Sequence, residues 1–178
     1  LFWLPGYLVK QYGLDLKTFG PPLVVIYLMS DIGSIAGGWW SSRLISRGVA
    51  VGRARKITML ICALCVLPII GAQFISDLWL AVGVIGLATA AHQGFSANLY
   101  TLPSDVFPRA AVGTVIGFGG TVGAIGGMVF SKYVGQVLDQ VGSYTPIFVV
   151  AGVVYLLAVL VVQLLSPRYE PALKEAAA

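Results

Sequence analysis

Asp31 is the one charged residue in the stretch LVVIYLMSDIGSIAGGWWSS, residues 23–42. The stretch is long enough for a helix to cross the hydrocarbon core of a bilayer, which takes about 20 apolar residues. A carboxylate near the middle of such a span is costly and is kept for a reason. At about 100° per residue, Tyr27, Ser30, Asp31, Ser34, Gly38 and Ser41 share an arc of roughly 100°, with Ile26, Met29 and Ile32 turned away. The pattern predicts a helix lining a polar pathway or cavity. Asp31 is suited to binding or relaying a proton, or to pairing with a cation on another element. The structural alternative is a hydrogen bond or cap at a helix seam.

A second stripe lies in residues 78–102, where Thr89, His92, Gln93, Ser96 and Tyr100 share one arc and Asn98 projects from the opposite side. An intramembrane His92 is either a proton relay or a hydrogen-bonded packing residue. Gln93 offers two donors and an acceptor without any change of protonation, which suits a sugar hydroxyl or a carboxylate, or else an interhelical hydrogen bond. Thr121 and Thr114 face roughly away from Gly119, Gly123 and Gly127, which form a small-xxx-small ridge for close helix contact and leave the threonines toward a cavity.

Other chemistries lack their residues. Cys62 and Cys65 have CxxC spacing but sit in the apolar run ITMLICALCVLPIIG, without a second pair or a βαβ context, and read as small packing residues. In GFGGTVGAIGG, Val122 stands where a dinucleotide fingerprint needs its third glycine. There is no GxxxxGK[ST] for ATP and no GxSG-type nucleophile for an intramembrane protease using His92. Neither covalent catalysis, nor a cofactor, nor a metal site is expected.

The elements that must position these residues follow from composition. The chain is 58% hydrophobic and 10% charged, with a mean hydropathy of +0.90, whereas soluble domains are about 25% charged. An all-α polytopic membrane bundle is expected, embedded in a lipid bilayer, with spans at residues 23–42, 57–75, 78–102, 110–130 and 147–165. The first residues, LFWLPGYL, read as the last turns of a further span, with Trp3 and Tyr7 as interfacial aromatics and Pro5 bending or ending the helix. The bundle then covers residues 1–166, with a tail at 167–178. Residues 10–22 read as a connecting loop closed by Gly20-Pro21-Pro22. The chain opens on Leu1 and is expected to be a piece of a longer protein.

Orientation is read from the basic residues. RLISRGVAVGRARK holds Arg43, Arg47, Arg53, Arg55 and Lys56 without one acid. Alternate crossings place Arg109, Arg168 and Lys174 on that same side and Lys10, Lys17 and Lys132 on the other. Eight basic residues against three predict a cytoplasmic C-terminus. The net charge of +4 therefore belongs to topology and not to nucleic-acid binding.

The stretches FWLPGYL, FGPPLVVIYLMSDIGS, GGWWSSRLISRG and LPSDVFPRAAVGTVIG, which together run through most of the chain, resemble the C-terminal half of a major facilitator superfamily transporter. The likeness is greatest to the hexuronate-type members of its anion:cation symporter branch. GGWWSSRLISRG is similar to that family's short Gly-x-x-x-Asp-Arg motif, with Gly38 and Arg43 matching and Ser42 in place of Asp. The resemblance implies the end of the seventh helix and the eighth to twelfth of a twelve-helix protein. Its two six-helix bundles rock about a central site. It further implies a small organic anion and a proton as partners, together with an N-terminal half that supplies charge. On that reading Gln93, Ser96, Tyr100 and Thr121 contribute neutral hydrogen bonds to substrate, Asp31 and His92 serve coupling or a helix seam, and Gly38 and Arg43 serve gating. A bacterial inner membrane is implied as the location. A structural or assembly subunit without transport is the competing expectation.

Overall fold

The computed structural model describes residues 3–15 and 17–167. Arg168 and Lys174, and nearly all of the expected tail, lie outside the described residues. Six α-helices follow in order: α1 (Leu4–Tyr12), α2 (Gly20–Ser46), α3 (Val51–Val66), α4 (Leu78–Val106), α5 (Arg109–Val141) and α6 (Thr145–Leu165), with a 3-10 segment at Leu67–Phe74 continuing α3. There is no strand among the described residues. The chain is an all-α membrane bundle. Five stretches, α2, α3 with its 3-10 extension, α4, α5 and α6, are long and apolar enough to cross a bilayer.

Helix ends follow local chemistry. Among the described residues Pro5 sits in the first turn of α1, where its missing N–H costs nothing. Gly13, at φ 64°, closes α1 in the left-handed conformation. Pro21 and Pro22 likewise belong to the first turn of α2, so the end of the expected loop is already helical. The Asp77 side chain accepts from the Leu80 amide at 2.8 Å and caps α4. α4 carries Pro103 within its last turns and ends at Val106.

α2 and α4 meet by backbone contact. A Cβ on Gly33 would collide with the Ala90 backbone, and one on Gly37 would lie 2.5 Å from the Gly94 Cα. Gly33-xxx-Gly37 faces Ala90-xxx-Gly94, a spacing that lets helices approach closely where no hydrophobic effect drives them together. The ridge expected at Gly119, Gly123 and Gly127 meets no such neighbour: a Cβ at each would have nothing within 4 Å. Among the described residues of α5 only Val134 is buried.

α1 is fixed by aromatic packing. Tyr7 stacks edge-on against Phe148 at 4.9 Å and Tyr144 at 5.1 Å, and Trp3 meets Phe148 at 5.2 Å. The Tyr12 hydroxyl donates to the Ile75 carbonyl at 2.7 Å. Tyr7 is 1% exposed, so it is a core residue joining α1 to α6 and not an interfacial aromatic.

Candidate functional site

The stripe expected on α2 divides in two. Ser30 and Ser41 are buried on the face that carries Gly33 and Gly37, Ser34 and Gly38 lie at its edge, and Tyr27 and Asp31 are exposed. Asp31 makes no hydrogen bond or ion pair among the described residues. Since Gly33 meets Ala90 and Gly37 meets Gly94, α2 and α4 run parallel. Counting about 100° per residue from those contact lines, Tyr27 and Asp31 of α2 and Gln93, Ser96 and Tyr100 of α4 fall on one side of the pair. Gln93 and Ser96 are half-buried and Tyr100 is exposed. None of these three side chains is hydrogen-bonded within the described residues. Their donors and acceptors remain accessible on this side of the pair.

The rest of the α4 stripe is hydrogen-bonded within the bundle. Thr89 is buried and donates to the Gly86 carbonyl at 2.9 Å and to that of Ile26, on α2, at 3.4 Å. His92 Nδ1 lies 2.6 Å from the Tyr155 hydroxyl, joining α4 to α6. Both residues line a cavity of about 740 Å3 with Thr89, Phe95, Gly126 and Phe130. Asn98, fully buried, donates through Nδ2 to the Gly37 carbonyl at 3.1 Å and the Gly94 carbonyl at 2.9 Å. It reinforces the glycine crossing. Thr121 donates to the Gly117 carbonyl of its own helix at 3.0 Å and is exposed. Gly123, Gly126, Gly127 and Phe130 turn toward α4 and α6, which puts Thr121 on the far side of α5. The structure does not bring Thr121 to Gln93.

At the basic end of the bundle, the Arg43 guanidinium lies over the Trp39 ring at 5.5 Å and makes no ion pair among the described residues. The contact that ties helix ends together here is made by Arg55 instead. Arg55 Nε pairs with Asp105 at 3.2 Å, and its Nη1 donates to the Ser41 hydroxyl at 2.9 Å. Ser41 in turn donates to the Gly38 carbonyl at 3.0 Å. α2, α3 and α4 are thus fastened by one polar chain. Sequence reasoning passed over Arg55 and Asp105 as a pair, although Asp105 is an acid at the end of a span that faces an all-basic loop.

Groups of three or more His, Cys, Asp or Glu that could hold a metal are absent among the described residues. Cys62 and Cys65 are free thiols, and Cys62 packs beside Gly94.

Comparison with known proteins gives the lineage of these apolar helices, with their glycine crossing and polar flank. Residues 1–131 match the Major Facilitator Superfamily. The chain belongs to the major facilitator superfamily. Among its relatives are the hexuronate transporter of Escherichia coli K12, 31% identical over 90% of this chain and 37% of that protein. The D-galactonate transporter of an E. coli O6:H1 strain is 29% identical over the same shares. The chloroplastic ascorbate transporter of Arabidopsis thaliana is 31% identical over 90% of this chain and 30% of its own length. The chain spans roughly a third of the curated superfamily members it matches.

Proposed function

We propose that this chain forms the C-terminal bundle of a proton-coupled sugar-acid transporter that works by alternating access. The carrying observation is Asp31, an exposed carboxylate in the middle of a membrane-length helix with no partner among the described residues, on the same side as Gln93, Ser96 and Tyr100, whose side chains are likewise unbonded among them. A carboxylate at that depth faces water or a partner, not lipid. A second six-helix bundle on this side would enclose a polar space between the halves.

In that space Gln93 and Ser96 hydrogen-bond substrate hydroxyls, Tyr100 borders the path, and the other bundle supplies the cation that neutralises a carboxylate. Thr121, on the far side of α5, contributes to substrate binding from a separate face of the bundle. Asp31 carries the coupled proton or pairs across the seam. Gly38, whose carbonyl accepts from Ser41, extends the Ser41–Arg55–Asp105 chain, which holds three helix ends together in one state and must yield or move as a unit in the other, and Arg43 serves that gate from the same end of α2. The printed names of the relatives, hexuronate and D-galactonate transporters, support a polyhydroxy carboxylate as substrate. The bacterial inner membrane, with the basic loop cytoplasmic, fits the basic-residue asymmetry.

The test is uptake of radiolabelled glucuronate and galacturonate by cells expressing the protein at its natural length, with and without a protonophore. Saturable uptake that the protonophore abolishes is expected. Uptake insensitive to the protonophore removes the proton coupling, and no uptake despite correct insertion removes the hexuronates as substrates.

A further inference from the structure

A cavity of about 950 Å3 opens between the start of α3, the end of α4 and the end of α6, away from the polar flank of α2 and α4. Its lining has two zones. Arg53, Lys56 and Gln163 form a polar mouth, while Ile57, Leu60 and Val159 continue it down the apolar parts of α3 and α6. Because both helices are membrane spans, the mouth lies where hydrocarbon gives way to water.

Among the described residues, the charges at the mouth do not balance. α3 begins Val51-Gly52-Arg53-Ala54-Arg55-Lys56 with no acid in its first turn and no side-chain cap, so cations crowd the end of a helix that already carries partial positive charge. Two of the three are answered. Arg55 is paired with Asp105, which also borders the cavity, and Lys56 donates to the Ser166 carbonyl and, at 3.4 Å, to that of Pro167 beyond the end of α6. Arg53 is exposed and has no ion-pair or hydrogen-bond partner among the described residues.

We propose that this cavity binds the headgroup of an anionic phospholipid, with the phosphate at Arg53 and Lys56 and an acyl chain along Ile57, Leu60 and Val159. A cationic mouth above an apolar groove at the membrane boundary is complementary to that amphiphile along its whole length, which a freely soluble anion does not match. Basic pockets between helix ends recognise anionic lipids by this chemistry. Occupancy fastens α3 to α6 beside the Arg55–Asp105 pair, so the lipid stabilises the state in which that pair is closed.

Phosphatidylglycerol and phosphatidylcholine are titrated separately into the purified natural-length protein in neutral micelles, with adducts read by native mass spectrometry and unfolding followed by heat. Phosphatidylglycerol is expected to bind and raise the unfolding midpoint, and phosphatidylcholine is not. Arg53→Gln is expected to weaken phosphatidylglycerol binding roughly fivefold, the equivalent of one lost basic contact at the membrane surface. Arg43→Gln, removing a cation stacked on Trp39, leaves it unchanged. Equal effects of the two lipids, or equal losses in the two variants, overturn the site in favour of general surface attraction. A phosphatidylglycerol effect that emerges only after Glu170→Gln and Glu175→Gln also overturns it, assigning the cavity to the chain's own carboxylates.

Discussion

Arg55 on α3 pairs with Asp105 on α4, Nε to Oδ2 at 3.2 Å, with side chains only 14% and 21% exposed. The same guanidinium reaches Ser41 of α2 at 2.9 Å. Removing one partner of a sheltered pair takes away the attraction that offsets the other's loss of hydration. Arg55→Ala and Asp105→Ala are each expected to destabilise the bundle by about 1–3 kcal/mol, and the double variant by less than the sum. Thermal unfolding of the four proteins in one detergent checks this, and strict additivity would show that the pair contributes nothing.

The glycine crossing makes an opposite pair of expectations. At Gly37 a methyl group would fall 2.5 Å from the Gly94 Cα, on rigid backbone that cannot step aside. Gly37→Ala is expected to cost about 1–3 kcal/mol as overpacking. At Gly119 and Gly123 the same methyl meets nothing within 4 Å, so alanine there should leave bundle stability unchanged or raise it by about 0.4–1 kcal/mol. Comparison of unfolding midpoints for the three variants tests the assignment of the contact ridge.

Much of the fold is visible in hydropathy, because spans of membrane length need little tertiary information. Helix ends are less visible. Residues such as Arg43 and Ser46 are polar enough to look like loop, yet they continue α2 because their backbone groups already have partners in the preceding turn. Helical periodicity also grouped Ser30, Ser41 and Asp31 on one wheel, although the packing face bisects that arc. A small polar residue fits a close crossing as well as it fits a cavity, so type and spacing alone do not separate the two. The glycines pose the same ambiguity: Gly33 and Gly37 look no different in sequence from Gly119 and Gly123. Their roles depend on which helix lies opposite, as does the meeting of Arg55 with Asp105 across 50 residues.

His92 and Tyr155 tie α4 to α6 through one hydrogen bond of 2.6 Å, with the Tyr155 ring edge-on to Phe95 at 5.3 Å. Side-chain hydrogen bonds between membrane helices contribute about 0.6 kcal/mol on average and up to about 1.7. Tyr155→Phe keeps the ring contacts and is expected to cost about 1 kcal/mol or less. The same substitution in a His92→Phe background should cost nothing further. If His92 instead relays protons, Tyr155→Phe will shift the pH profile of uptake, a change that a packing role does not produce.

The turn between α1 and α2 has its own pH dependence. Asp15 accepts from the Thr18 hydroxyl at 2.7 Å, the Thr18 amide at 2.8 Å and the Lys17 amide at 3.0 Å. These bonds, the Thr18 hydroxyl first, hold its carboxyl below the ordinary value of 3.8. A depressed folded-state value means that the turn gains its stability above the unfolded carboxyl's value and loses it as pH falls through the lowered one. Amide exchange at Thr18, corrected for intrinsic rate, should therefore accelerate in acid. Thr18→Val should move the Asp15 titration back up toward 3.8, as read by carboxyl chemical shifts.

Asp31 gives the most direct functional test. It is exposed on α2, twelve residues into a helix of 27, and pairs with nothing among the described residues, so replacing it removes no contact inside this bundle. Asp31→Asn keeps the shape and most of the hydrogen bonding while removing the charge, and it should express and unfold like the parent. If Asp31 carries the coupled proton, the variant will exchange substrate across the membrane yet fail to accumulate it against a gradient, and uptake will lose its dependence on external pH. Active accumulation depends on the carboxylate changing state, whereas exchange of a bound solute does not. If Asp31 only pairs with a cation of the other bundle, exchange and accumulation will fall together and the pH profile of the remaining uptake will keep its shape. Proteoliposomes loaded with unlabelled substrate, assayed with and without an imposed pH difference, separate the two outcomes.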